Sequence, residues 1–255
     1  MQVVSLDIPE EVGYLVPLGD LHRGDTHLTQ RGLSKLKGYL DWVMARPNAF
    51  VFLMGDILNV ASRSSKTNPF ESDKDEYAKS VELFRPYATR IVGCITGNHE
   101  QRMYKEFGFN PLQPFCRELS IPYCGYSGVL RIRVGKRSDR RNEYRQLYWG
   151  YAHHGTGGGG TMGAALNKKV KLQEIVQAMD FYMAGHDHQL INGSRNVLLP
   201  HKDQIVHQRV HFIDTGSFLD WDGAYTEEAA MAISKQGAAR LRFDGRQDHH
   251  DLHVS

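Results

Sequence analysis

Residues 12–22 read Val-Gly-Tyr-Leu-Val-Pro-Leu-Gly-Asp-Leu-His: an apolar run stops at a glycine, and an aspartate and a histidine two apart follow at once. An apolar run bounded by a turn residue is the pattern of a buried strand. The arrangement recurs. Phe50 to Met54 ends in Gly55-Asp56, and Ile91 to Ile95 leads into Gly97-Asn98-His99-Glu100. Tyr144 to Ala152 runs into His153-His154-Gly155, and Phe181 to Ala184 ends in Gly185-His186-Asp187-His188. After the first of these strands, Gln30 to Met44 places Leu33, Leu36, Leu40, Val43 and Met44 at helical spacing, with Pro47 just beyond. Glu76 to Pro86, parts of Tyr104 to Ser120, and Ala164 to Ala178 also read as helix. Further strands are expected at Val129 to Val134, Leu190 to Leu198, Gln204 to Asp214 and Ala229 to Phe243. Strand and helix alternate in the first half, and strands dominate the second. With no internal repeat and no linker, the pattern predicts an α/β (α+β) chain with one domain over residues 1–243. Residues 244–255 are expected to form a polar, poorly ordered tail.

The residues at the strand ends belong to one chemistry. Carboxylate and imidazole together suit manganese, iron or zinc, whereas calcium and magnesium sites use oxygen almost alone. An aspartate can bridge two cations and hold them about 3.5–4 Å apart, the usual spacing in two-metal hydrolases. Asp20 and His22, like His186 and His188, are two apart, so a bend past the strand end can turn both side chains toward one cluster. The preceding glycines allow that bend. One such pair is commonplace on surface loops; five in succession, each behind an apolar run, are not.

The order Asp-x-His, Gly-Asp, Gly-Asn-His-Glu, His, Gly-His-x-His, spread over Asp20 to His188, resembles the signature of the calcineurin-like metallophosphoesterases. The resemblance implies a two-sheet β-sandwich flanked by helices in four layers, with a binuclear metal centre in loops at the strand ends. It implies that Asp20, His22 and His188 hold one metal. Asn98, His186 and a histidine of the His153-His154 pair would hold the other, with Asp56 bridging. Relatives use either the first histidine of such a pair or the one next to glycine; His153-His154-Gly155 fits both patterns, with a slight preference for His153. The implied activity is in-line hydrolysis of a phosphate ester by water activated between two divalent or trivalent ions, manganese favoured. His99 would serve the leaving oxygen, with Glu100 orienting it. Arg23 and Arg102, next to the first and third motifs, are candidate substrate contacts.

The substrate is less legible. The protein phosphatase branch carries Gly-Asp-x-Val-Asp-Arg-Gly at the second motif, where this chain has Gly55-Asp56-Ile57-Leu58-Asn59. That departure favours a phosphodiesterase or nuclease over a protein phosphatase. A phosphomonoesterase or nucleotide pyrophosphohydrolase is the alternative, and a catalytically silent binding module is kept as a third reading. A hairpin candidate at Gly135 to Asn142 gathers Arg131, Arg133, Lys136, Arg137, Arg140, Arg141 and Arg145 near Tyr144 and Tyr148, as an arm on a nucleic-acid backbone would. The plainer reading is a solvated hairpin. The glycine-rich Thr156 to Gly163 reads as a flexible connection, and Asp214-Thr215-Gly216-Ser217 as a supporting turn.

Composition sets outer bounds. In 255 residues, 41% are hydrophobic and 24% charged, enough for a core and against global disorder. A net charge of +2 singles out no polyanionic partner. Cys94, Cys116 and Cys124 are too few for a disulfide framework. Residues 1–13 hold Asp7, Glu10 and Glu11 without a basic leader and apolar run, so a cytoplasmic location with no membrane segment is expected. His249, His250 and His253 are expected in solvent.

Overall fold

Apolar and polar residues alternate along Gln2–Ile8, and this segment forms strand β1 with Val4, Leu6 and Ile8 buried. The structure, a computed structural model, describes residues 1–60, 73–136, 146–157, 161–201, 203–222, 227, 233–246 and 250–255. β2 (Val12–Leu18), β3 (Ala49–Leu53) and β4 (Ile91–Cys94) follow. They are parallel, joined by helix α1 (Gln30–Met44) and by α2 (Asp73–Phe84) with the 3-10 turn Arg85–Arg90. The side chain of Thr29 caps α1 by accepting from the Gly32 N–H. Two short helices come next, α3 (Asn98–Phe107) and α4 (Leu112–Leu119).

The second half supplies β5 (Ser127–Val134), β6 (Gln146–His153), helix α5 (Met162–Lys171), β7 (Phe181–Ala184), β8 (Leu190–His201) and β9 (Gln204–Thr215). β10 (Leu241–Asp244) and β11 (Leu252–Val254) end the chain. The strands make two mixed sheets, β1-β5-β6-β7-β9-β8 and β11-β10-β2-β3-β4.

Burial divides into three layers of contact. Between the sheets, Leu6, Leu15, Phe52, Ile132, Phe181 and Phe243 belong to one apolar cluster. Behind the five-stranded sheet, Leu36 and Leu40 of α1, Phe84 of α2 and Phe115 of α4 cover the outward residues of β2 and β3. Behind the six-stranded sheet, Leu166 and Val170 of α5 pack on Tyr151, Tyr182 and Phe212. The result is the expected sandwich of two sheets between helices.

Three segments differ from the sequence reading. β1 was not anticipated as a strand, although its alternation is plain once it is paired with β5. The expected strand from Ala229 is confined to Leu241–Asp244 among the described residues. Gly237 donates its N–H to the Ser217 carbonyl at 2.8 Å and lies against Tyr39, so the chain there crosses a turn instead of extending a ladder. The tail is not loose: β11 closes the edge of the five-stranded sheet by pairing with β10.

Its anchor is polar. The Tyr148 hydroxyl reaches the carbonyls of Asp244 (2.6 Å) and Asp251 (3.0 Å), and its ring stacks on His250 at 4.4 Å. His250 in turn meets the buried carboxylate of Asp180 at 2.9 Å, so it is not a purely solvent histidine. Tyr148→Phe removes a buried hydroxyl that serves the Asp244 carbonyl and accepts the Asp251 N–H, a loss of about 1–2 kcal/mol. Urea unfolding should show that decrease, with β11 amides exchanging faster.

Candidate metal centre

Backbone hydrogen bonds lace the motif loops together at one end of the sandwich. Asp20 N–H donates to the Gly55 carbonyl at 3.1 Å, His22 N–H to Asp56 at 2.9 Å, and Gly185 N–H to His154 at 2.9 Å. The loops after β2, β3, β6 and β7 are therefore fixed to one another before any side chain is considered.

Their side chains converge in overlapping groups. Asp20, His22 and His188 offer ligand atoms that all lie within 4.8 Å of one another. His22 Nε2 and His188 Nε2 are 3.1 Å apart, and Asp20 Oδ1 lies 3.6 Å from the latter. Asp56, His154 and His186 form a second such group. In it, His154 Nε2 is 3.2 Å from Asp56 Oδ2 and 2.9 Å from Asn98 Oδ1, while His186 Nδ1 is 2.6 Å from that same amide oxygen. Asp56 also joins His22 and His99 in a third group, so it sits between the first two.

The backbone is bent to achieve this. Asp20, His22, Asp56, His186 and His188 all adopt positive φ, between 47° and 72°. Residues other than glycine hold that conformation at a cost of about 1–3 kcal/mol each, and such strain collects at functional sites. The neighbouring glycines have a steric reason: a Cβ at Gly97 would collide with Asp56 Oδ1, and one at Gly185 with Asp20 Oδ2.

Electrostatics supply a test of whether a cation fits. Asp20 and Asp56 are buried together, and among the described residues only histidines come within ion-pair range of either. Burial, with Asp56 nearby, pushes the Asp20 carboxyl up to about 8. Burial works to raise Asp56 too, but His154 and His99 outweigh it and hold that carboxyl well below its usual range. Burial opposes charge on His154, yet Asp56 lifts it to about 10. Burial keeps His22 and His188 neutral, the latter near 4. A proton on His154 thus stands where a cation's charge would, and His22 and His188 are in the form that binds metal. His154 Nδ1 is tied to the Met54 carbonyl at 2.8 Å, which directs Nε2 to the cluster. The donor set fits divalent metal.

Other expected residues fall differently. His153 stands apart from the cluster, its Nδ1 accepting the Gly155 N–H at 2.9 Å; His154 is the member of the pair that faces Asp56. Glu100 does not touch His99. Its carboxylate is fully buried and accepts four backbone N–H groups: Ile57 (2.8 Å) and Leu58 (3.0 Å) on Oε1, Asp56 (3.0 Å) and Gly97 (3.0 Å) on Oε2. His99 is oriented instead by the Asn59 carbonyl, 2.5 Å from Nδ1, with Nε2 4.0 Å from Asp56. Arg23 and Arg102 are half-buried beside His22 and one turn after His99, and each keeps a buried guanidinium nitrogen without a partner among the described residues. Ser217 of the supporting turn donates to the Asp20 carbonyl at 2.9 Å.

The base of the basic segment lies elsewhere. In the β5–β6 register Ser127 pairs with His153 and Val134 with Gln146, so the hairpin base is about 23 Å from the cluster at ~3.3 Å per residue. Arg133 is engaged there by Asp7 at 2.5 and 2.8 Å. Arg137, Arg140, Arg141, Tyr144 and Arg145 lie outside the described residues, as does His249.

This geometry agrees with sequence comparison: the model of the calcineurin-like phosphoesterase family matches residues 18–190, from the end of β2 to the start of β8. The chain belongs to the calcineurin-like phosphoesterases, and its chemistry is metal-dependent hydrolysis of phosphate esters. None of the curated proteins matches the sequence. Similar solved structures include vacuolar protein sorting 29 from Cryptosporidium parvum, with 14% identity, 96% of this chain and 98% of that one covered, and a TM-score of 0.43. A metallophosphoesterase from Sphaerobacter thermophilus gives 14%, 95%, 87% and 0.40. The calcineurin-like phosphoesterase YfkN from Bacillus subtilis gives 10%, 96%, 91% and 0.41. Among the described residues, no helix is long and apolar enough to cross a membrane.

Proposed function

We propose that the chain is a two-metal phosphodiesterase acting on nucleic acid or a nucleotide, with manganese as the favoured ion. The observation that carries the two-metal reading is the placement of Asp56 between two ligand groups. Asp20, His22 and His188 would hold one ion and Asn98, His154 and His186 the other, with Asp56 available to both. Ions bound there would supply an activated water and would draw charge from the phosphoryl oxygens. The protein's own part is positional and protic. His99, held through Nδ1 by the Asn59 carbonyl, presents Nε2 to the leaving oxygen. Arg23 and Arg102 contribute guanidinium N–H groups to the phosphate.

The diester preference is supported by the second motif, where Asn59-Val60 stands in place of the Asp-Arg pair of the protein phosphatases. The described base of the basic segment, at Val134 and Gln146, adds no support. The cytoplasm is our assignment, in keeping with three buried free thiols.

The test is turnover of bis-p-nitrophenyl phosphate and p-nitrophenyl phosphate side by side with manganese. Faster diester turnover is expected; monoester turnover alone would move the assignment to a phosphatase. His99→Ala should lose about 10²-fold on a dinucleotide with a poor alkoxide leaving group. It should lose far less on nitrophenyl esters, whose leaving group needs no proton.

A further inference from the structure

Asp187 stands between His186 and His188, which reach different ligand groups, yet its own carboxylate belongs to neither. It is buried and held by two consecutive lysines of α5: Lys168 Nζ donates to Oδ1 at 2.5 Å and Lys169 Nζ to Oδ2 at 2.6 Å. Lys169, 1% exposed, makes a second bond to Asp214 Oδ2 at 2.6 Å. Asp214 is the register partner of Ala184, two residues before His186. Lys168 makes its second bond to the Gly157 carbonyl at 2.6 Å, three residues past His154. Two side chains thus tie the His186–His188 turn to the adjoining strand and to the segment that follows His154.

Nothing in the packing of α5 calls for this. Burying an ammonium with two carboxylates carries a desolvation penalty of several kcal/mol per ion, and an apolar side chain would cover the sheet without it. The turn it holds does call for it. His186 and His188 both have positive φ, at 72° and 55°. Strained backbone persists only when its surroundings over-determine it.

We propose that Lys168 and Lys169 are positioning residues of the metal centre: by gripping both oxygens of Asp187 they lock the strained turn so that one imidazole reaches each ion. The inference rests on the two-metal reading. Its test is calorimetric titration of manganese into the full chain as wild type, Asp187→Asn and Lys168→Met, with urea unfolding of the metal-free proteins alongside. Manganese should bind Asp187→Asn about 10–100-fold more weakly, as loss of partners behind a ligand generally does. Lys168→Met should shift the same way by less, and saturating manganese should restore turnover in both. Lys168 is only partly buried, so its variant decides the matter if Asp187→Asn does not fold. Wild-type manganese affinity in either folded variant, whatever happens to its urea midpoint, overturns the proposal. A wild-type chain that binds no manganese overturns the two-metal reading beneath it.

Discussion

Asp56→Ala should cut manganese-dependent hydrolysis by about 10³-fold or more, a barrier increase of about 4 kcal/mol. Asp56 lies 3.2 Å from His154 and 3.8 Å from His22, members of different ligand groups, so its loss weakens both at once. Its other oxygen accepts the His99 N–H at 2.8 Å, which places the negative carboxylate at the N-terminus of α3. Asp56→Asn keeps an oxygen for that N–H and removes the charge; it should be nearly as inactive. Stability should respond too. Without metal the buried carboxylate is the counter-charge of His154 and accepts the His99 N–H, so its removal should also lower the urea midpoint of the metal-free protein. The stabilisation that manganese confers on the wild type by binding the folded chain should shrink or vanish. Comparable turnover in wild type and Asp56→Ala would contradict this account of the site.

Glu100→Ala should be the most destabilising single change at the centre, by about 3–4 kcal/mol. It strands four N–H donors, each unmet buried group costing about 1–3 kcal/mol less whatever entering water recovers. Those donors belong to the Gly-Asp loop after β3 and to the start of α3, so the loss disorganises the backbone under Asp56 and Asn98 together. Glu100→Gln retains one full acceptor oxygen and should lose roughly half as much. The activity that remains should keep the wild-type pH profile, because Glu100 holds loops and handles no proton. A Glu100→Gln enzyme of wild-type stability with a displaced pH profile would restore the direct catalytic part expected from its place beside His99.

These two residues also mark how far the sequence could be read. Asp20, His22, Asp56, Asn98, His186 and His188 were legible because each follows an apolar strand at a glycine, and the structure draws those strand ends together. The choice between His153 and His154 was not, since adjacent residues on a strand point to opposite faces and the motif does not say which face meets Asp56. Glu100 looked like a partner of its neighbour because sequence proximity is visible and four inward-turned N–H groups are not. Asp187 occupies the variable position of Gly-His-x-His, and Lys168 and Lys169 belong to no motif; only the packing of α5 joins them. The distance of Val134 and Gln146 from the cluster follows from strand register, which composition does not encode. The tail looked disordered by its polarity, while what secures it is Tyr148, about a hundred residues earlier.

The central claim is that Asp56 joins two cation sites into one centre, and the direct measurement is manganese stoichiometry on purified, chelator-stripped protein. The account predicts two ions per chain for the wild type and loss of tight binding at both sites in Asp56→Ala. One ion per chain, or two that Asp56→Ala retains with unchanged affinity, would contradict it.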